Sequence, residues 1–350
     1  MKPPVFCTSI CANYLGKALA LSTSLKRWMP DSIFVIALVE REIPAVFDAA
    51  RYSAVDHILL AKDFVETNSF DSWVFRYSIV EASTAVKGEL MRHLYRRFDE
   101  AENFIYIDPD TFVYSRFDEL FDTLSSFPIV LTPHLDAPGN LEMELSSLKH
   151  GVFNLGFLAV ARNPETERFL DWWSERLDFA CHDDIPNGIF TDQKWINLAP
   201  GFFPVNVLRH PGYNFATWSL MDRKLTLDDE GRYLVNDERL RFAHFSGFDS
   251  GTFHRCIEKW APDNRELLNR MADNYLSECI EHQSRVFKQI SWSYGIFLSG
   301  KPISKWARLF WRDRRHYDLR NPFSQSNLAL TRSILRPSRW LPALRKLLRA

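Results

Sequence analysis

Two rhythms of hydrophobic and polar positions alternate along the first half of the chain. Val5 to Ser9 is a short apolar and β-branched run. It leads into Tyr14 to Trp28, where Leu15, Ala18, Leu19, Ser22 and Leu25 recur at helical spacing, which predicts a strand and then a helix. Pro30-Asp31 breaks that helix, and Ile33 to Val39 is an apolar run of strand length, as in a strand covered on both faces. His57 to Leu60 repeats the strand pattern. Phe70 to Phe98 then reads as one long helical tract whose last turns carry Arg92, Arg96 and Arg97. Phe104 to Ile107 is an apolar strand that ends at Asp108-Pro109-Asp110. Strands alternating with helices predict an α/β fold with a mostly parallel central sheet and flanking helices, whose ligands belong at the carboxyl ends of the strands.

Further along, Asp118 to Leu124 reads as a short helix, Ile129 to Thr132 as a strand, and Val152 to Ala161 as a strand with Gly156 inside it. Pro164 to Phe179 is an amphipathic helix with proline in its first turn. From Asn187 to Ser250 the text is rich in Gly, Pro, Asn and aromatics, with short strands at Val205–Leu208 and Arg241–Phe245, and it reads as pocket-building loops. Helical patterning returns over 255–290. The expected organisation is a sheet-based domain over 1–255, a helical extension packing on it over 256–300, and a basic aromatic tail over 301–350. Within that tail Pro337 to Leu348 has the spacing expected of a short amphipathic helix.

Composition narrows the class. With 46% hydrophobic and 25% charged residues over 350 positions, neither a disordered chain nor a fibrous repeat fits. The net charge of -1 conceals a division, because 301–350 carries 13 Lys/Arg against 2 Asp/Glu and the preceding residues are correspondingly acidic. Five cysteines, odd in number and without a C-x-x-C pair, argue against a disulfide framework and a zinc knuckle, so a reducing compartment fits. Asn13 and Lys17 interrupt the first apolar run, which argues against a signal peptide, and no stretch reaches about 18 uninterrupted apolar residues. A cytoplasmic location is expected.

A strand ending in Asp-x-Asp places two carboxylates at the sheet's carboxyl edge, where hard cations such as Mg²⁺ or Mn²⁺ take carboxylate oxygens while bridging to substrate phosphates. Asp-Pro-Asp is equally an ordinary turn with a capping aspartate, and only its position after Phe104–Ile107 gives the metal reading weight.

Other segments agree with the metal reading in order as well as in kind. Cys7-Thr-Ser-Ile-Cys-Ala-Asn-Tyr-Leu-Gly-Lys-Ala18 with Ser24-Leu-Lys26, Glu81 to Lys87, Tyr106-Ile-Asp-Pro-Asp-Thr-Phe-Val113, Gly151 to Phe157, Thr191-Asp-Gln193 and His244-Phe-Ser-Gly247 together resemble glycogenin-like glycosyltransferases of the GT-A fold. Thr132–His134, Asn154–Phe157, Asp171–Trp173, Asp192–Gln193 and His244–Phe248 are similar to a bacterial group close to family 8, and the resemblance spans about residues 5–250. It implies a GT-A fold and a metal-dependent enzyme moving a hexose from a nucleotide sugar, UDP-linked by expectation, with retention of configuration. The acceptor would be a saccharide or lipid-linked glycan of a bacterial cell surface. Thr8, Ser9, Asn13 and Tyr14 would hold base and ribose, and Lys87 the donor phosphates. Asp108, Asp110 and His244 would be the ligands of Mn²⁺ or Mg²⁺. Asp192 and Gln193 would hydrogen-bond sugar hydroxyls, and Asn154 would orient donor or acceptor.

The chain departs from the family at one place. The histidine turn usually continues into Lys-Pro-Trp, whose lysine contacts the diphosphate, whereas Phe248-Asp-Ser-Gly-Thr-Phe253 follows here. Diphosphate neutralisation then falls to the metal, Lys87 or Arg209. Bland readings stand beside the functional ones: Lys87 on a solvated helix face, Tyr14 closing a strand–helix turn, and His134, His210 and His254 as structural histidines rather than acceptor-site groups. Trp172 and Trp173 belong to the core. A sugar-nucleotide pyrophosphorylase is disfavoured because the chain lacks a Gly-rich phosphate loop near its start. A catalytically silent GT-A domain serving as a carbohydrate-binding or assembly subunit is the rival of another class. For the tail, an anionic membrane surface on the inner face of the cytoplasmic membrane is the expected partner, rather than nucleic acid or the acidic body of the chain.

Overall fold

The computed structural model describes residues 2–312 and 321–327. Its first half runs β1 (Val5–Ile10), α1 (Leu15–Trp28), β2 (Ile33–Leu38), β3 (His57–Leu60), α2 (Phe70–Val74), α3 (Ile79–Ala85), α4 (Lys87–Arg97), β4 (Asn103–Ile107), β5 (Thr111–Val113), α5 (Asp118–Leu124), β6 (Ile129–Pro133), α6 (Leu141–His150), β7 (Phe153–Ala161) and α7 (Pro164–Ala180). The small pair β8 (Asp183–Asp184) and β9 (Ile189–Phe190), α8 (Ala199–Phe202) and β10 (Val205–Val207) follow. Then come the meander β11 (Leu225–Leu227), β12 (Tyr233–Val235) and β13 (Glu238–Arg239), strand β14 (Phe242–His244), and helices α9 (Thr252–Trp260), α10 (Arg265–Glu281), α11 (Ser284–Phe287) and α12 (Lys305–Arg312).

Seven strands form the central sheet in the order β10-β6-β7-β4-β1-β2-β3. Only β7 is antiparallel to its neighbours. The expected α/β architecture with a mostly parallel sheet is therefore what the chain adopts. Alternation along β1 sorts its side chains to two faces, as the pleat requires: Val5 and Cys7 pack toward α4 and α7, Phe6 and Ile10 toward α1 and α5. A third apolar cluster joins α9 and α10 to β11, β12 and β14. Because β1 sends its crossover to β2 on one side while β4 lies on the other, the chain changes winding direction between β1 and β4. A doubly wound sheet opens a crevice at such a point.

One expected element is divided. The tract 70–98 is three helices, because Ser78 starts a new one inside it: its hydroxyl accepts from the Glu81 amide, and the Glu81 carboxylate accepts from the Ser78 amide. The next break, at Val86, makes Lys87 the first residue of α4, and its side chain is buried. The helical pattern over 255–290 is likewise cut, at Pro262 and at Gln283, whose φ of 59° is left-handed. The amphipathic helix expected over 337–348 lies outside the described residues, none of whose helices is long and apolar enough to cross a membrane.

Candidate functional site

Two adjoining cavities open at the carboxyl ends of β1 and β4. The smaller, about 220 Å³, is lined by Ser9, Asn13, Tyr14, Ser83, Asp108 and Asp110 among others. The larger, about 570 Å³, shares Lys87, Asp108 and Asp110 with it and extends past His134, Asn154, Asp192, Trp218, His244 and Trp260.

Asp108 follows β4 directly, and the turn that reads as Asp-Pro-Asp is closed by Thr111, whose hydroxyl donates to the Asp108 carbonyl at 2.7 Å. That turn sends the chain into β5, which pairs antiparallel with β14 so that His244 lies opposite Thr111. The Phe245 amide donates to the Asp110 carbonyl at 2.8 Å. This ladder brings a histidine from 134 positions away onto the Asp-x-Asp turn. His244 Nε2 lies 3.2 Å from Asp110 Oδ1 and 3.9 Å from Asp108 Oδ2. One ligand atom from each of the three residues falls within 4.8 Å of the others.

Whether these residues suit a divalent cation depends on which imidazole nitrogen is free. Asn214 Nδ2 donates to Thr132 Oγ1 and to Asn154 Oδ1, both at 2.9 Å, so Asn214 Oδ1 is left to accept from His244 Nδ1 at 3.1 Å. Nε2 then faces the carboxylates, and two oxygens and an imidazole nitrogen form a donor set suited to Mn²⁺ or Mg²⁺. Without a cation, burial depresses the His244 imidazolium but Asp110 and Asp108 outweigh it and raise its pKa. The Asp110 carboxyl, opposed by burial, is held down to about 2 by His244 and Lys17.

Lys87, at the start of α4, lies beneath this cluster, 3% exposed rather than on a solvated face. Its ammonium meets Asp192 Oδ2 at 2.9 Å, Asp108 Oδ1 at 3.2 Å and the Leu155 carbonyl at 3.0 Å. Burial disfavours the charge, yet the two carboxylates raise its pKa well above the ordinary lysine value. Asp192 is itself buried, which raises its carboxyl, while Lys87 acts in the opposite direction.

Glycine at 156 is dictated by this packing: a Cβ there would come within 2.4 Å of His244 Cε1 and 2.7 Å of Asn154 Oδ1. Asn154 is spent on its neighbours, accepting from the Gly156 amide at 3.0 Å and from Asn214, and donating to His134 Nε2 at 3.2 Å. Gln193 is tied at both ends, accepting from the Leu155 amide at 3.1 Å and donating to the His150 carbonyl at 3.0 Å. Ser9 donates to the Ser83 carbonyl at 2.5 Å, and Tyr106 donates to Asp108 Oδ1 at 2.9 Å.

The structure thus gathers Ser9, Asn13, Tyr14, Lys87, Asp108, Asp110, Asn154, Asp192, Gln193 and His244 around the two cavities. Thr8 points the other way along β1, is fully buried, and lines neither. Of the three other histidines weighed from sequence, only His134 lines a cavity. His210 lies against Glu119 and Glu238, and His254 bonds Asn269 on the surface. Arg209 is exposed beyond β10 and lines neither cavity. Sequence reading missed Asn214, 1% exposed, and Trp218, whose ring stands 5.2 Å from that of His244. The only available signal for Asn214 was its residue type, since asparagine tolerates the left-handed backbone, here φ 52°, better than most.

No family model matches the chain. In sequence it is similar to two proteins of Bacillus subtilis (strain 168), the uncharacterized proteins YfnD and YfnF. It is 28% identical to YfnD over 166 residues, covering 47% of this chain and 52% of that protein, so the match spans about half of YfnD. It is 24% identical to YfnF over 256 residues, covering 69% and 81%. Among solved structures it is similar to the galactosyltransferase LgtC in complex with donor and acceptor sugar analogues, at 15% identity and a TM-score of 0.40, covering 74% of this chain and 96% of that one.

Proposed function

We propose that this protein is a metal-dependent glycosyltransferase that moves a hexose from a nucleotide sugar, UDP-linked, to a saccharide acceptor in bacterial cell-surface glycan synthesis, with retention of configuration. The observation that carries the reading is the convergence of Asp108, Asp110 and His244 at the point where the sheet changes winding direction. Breaking a sugar–phosphate bond builds negative charge on the departing nucleoside diphosphate, and a divalent cation held by these three residues supplies Lewis-acid stabilisation of that charge.

The remaining work falls to the chain's own side chains. Tyr14 and Asn13 line the smaller cavity and hold base and ribose; the Asn13 side-chain oxygen is buried there without a hydrogen-bond partner, open to an N–H or O–H of the nucleotide. Lys87 keeps Asp108 and Asp192 from repelling each other and fixes Asp192 against the sugar. Asn154 positions His134 and Asn214 rather than reaching outward. The far side of the larger cavity, between α6 and α9, offers Trp218 and Trp260 as apolar faces for an acceptor saccharide.

A thermal-shift panel of UDP-, GDP-, CMP- and dTDP-sugars with and without Mn²⁺ tests the proposal. A shift with one nucleotide that requires metal, and that Asp110→Ala abolishes together with turnover, is expected. Absence of any shift in the presence of acceptor, with function surviving Asp110→Ala, would make the protein a binding or assembly subunit.

A further inference from the structure

A nucleoside diphosphate entering this cleft meets three carboxylates, Asp108, Asp110 and Asp192. Among the described residues only one ammonium or guanidinium lines either cavity, that of Lys87. Lys87 is already committed. Its ammonium donates to the Leu155 carbonyl and is ion-paired with both Asp108 and Asp192, so turning it to a phosphate would break a buried interaction.

One further cation stands at the margin, Lys17, in the first turn of α1. A lysine there faces the positive end of the helix dipole and gains nothing from the helix itself. Its side chain is only 12% exposed, and its ammonium sits 4.4 Å from the ring centre of Tyr14, which lines the smaller cavity beside Asp110. Lys17 and Asp110 also interact electrostatically. The direct partner of Lys17 is Asp249, at 2.5 Å. Asp249 is 39% exposed and belongs to the turn immediately after His244, flanked by Gly247 and Gly251 at φ 73° and 71°. A second lysine, Lys288, holds the other oxygen of Asp249 at 3.1 Å.

We infer that Lys17 is a diphosphate-binding residue, and that Asp249 occupies its ammonium in the absence of donor as a carboxylate counterpart of the phosphate that replaces it. The inference rests on the nucleotide-sugar reading above and goes beyond it in naming the cation. Carboxylate and phosphate oxygens are interchangeable partners for an ammonium, and exchanging one for the other leaves no charge unpaired inside the cleft: the displaced Asp249 is exposed and keeps Lys288.

Isothermal titration of UDP and of UMP, each with Mn²⁺, into wild type, Lys17→Met, Lys17→Arg and Asp249→Asn tests it. Lys17→Met is expected to lower the preference for UDP over UMP about tenfold while leaving UMP affinity unchanged, the scale of one charge-assisted hydrogen bond. Lys17→Arg should restore most of that preference, and Asp249→Asn, which removes the competitor, should raise UDP affinity. Should Lys17→Met fail to fold, an Asp249→Asn variant with unaltered UDP affinity overturns the inference. Equal weakening of UDP and UMP in Lys17→Met, or no change in either, also overturns it while leaving the glycosyltransferase reading intact. A wild type that binds neither nucleotide overturns that reading, and the inference with it.

Discussion

Asn214 is held in a left-handed conformation so that one side chain can bond Thr132, Asn154 and His244 together. Asn214→Gly keeps the backbone conformation without strain and deletes only those bonds. If Asp108, Asp110 and His244 hold a cation as proposed, the substitution should weaken Mn²⁺ binding by roughly 10–100-fold, the effect of losing a residue that orients a ligating histidine, and titration of the metal reads this directly. Asn214→Ala should show the same loss plus a further destabilisation of about 1 kcal/mol from the left-handed backbone, measured as a difference in chemical unfolding between the two variants. His134 makes a separate prediction. Burial lowers its pKa to about 4, opposed by its bond to the Gly151 carbonyl, against 6.5 for the free side chain. Between those values the unfolded chain takes up a proton that the folded chain refuses, so this group's contribution to stability declines as pH falls from 6.5 toward 4. The urea midpoint of wild type should therefore drop more between pH 7 and pH 5 than that of His134→Gln. Asp108, Asp110 and Lys87 were legible because aspartates after an apolar strand, and a lysine in a helical tract before it, stand out locally. Asn214 was not, because its meaning depends on partners up to 82 positions away.

At the level of elements, what the periodicity conveyed was the sequence of strands and helices, and what it concealed was where a helix stops. The apolar spacing through 70–98 continues across Ser78 and Val86, yet the capping pair Ser78 and Glu81 was present in the text as the marker of a new start. The break bears on the site, since the first residue after it is Lys87, whose ammonium lies 3.2 Å from Asp108. Helix α1 carries the other half of the wall proposed to hold the donor, and its seat against α11 leaves no room at Gly16, where a Cβ would lie 2.4 Å from Ser284 Cα. Gly16→Ala is expected to destabilise the protein by about 1–3 kcal/mol, as overpacking against backbone does, and to weaken nucleotide binding as well, because Tyr14 and Lys17 ride on the same turn. Denaturant unfolding and UDP titration on one preparation measure both effects. A stability loss with unaltered UDP affinity would dissociate the turn from the donor site.

Across the whole molecule, the basic aromatic segment after residue 300 begins by returning to the body. Arg308, 7% exposed, donates to the carbonyls of Phe75 and Tyr294, and Arg312 pairs with Glu81 at 2.9 Å. Trp311 donates to the Ser72 carbonyl at 3.0 Å, and Phe323 is fully buried against Phe75 and Tyr294. A chain ending at Gly300 should therefore lose more stability than the roughly 3–5 kcal/mol of a single buried aromatic truncation, seen as a lowered unfolding midpoint. A chain ending at Asn327 retains these contacts and is the proper comparison for a membrane role. Residues 328–350 hold six Lys/Arg and no acidic residue, and flotation with anionic liposomes is expected to fall when they are removed. Equal flotation of the two chains would remove the membrane from the picture. Composition displayed this segment's charge but not its docking, because amphipathic spacing suits a protein surface and a lipid surface alike. The docking also carries a consequence for synthesis. The wall of the proposed donor cleft formed by α3 is continuous with α2, and α2 is packed by Tyr294, Trp311 and Phe323, so the sheet has its full set of strands long before that packing can form. A nascent chain stalled short of residue 300 would display the buried aromatic face of α2 to chaperones until Trp311 and Phe323 emerge to cover it.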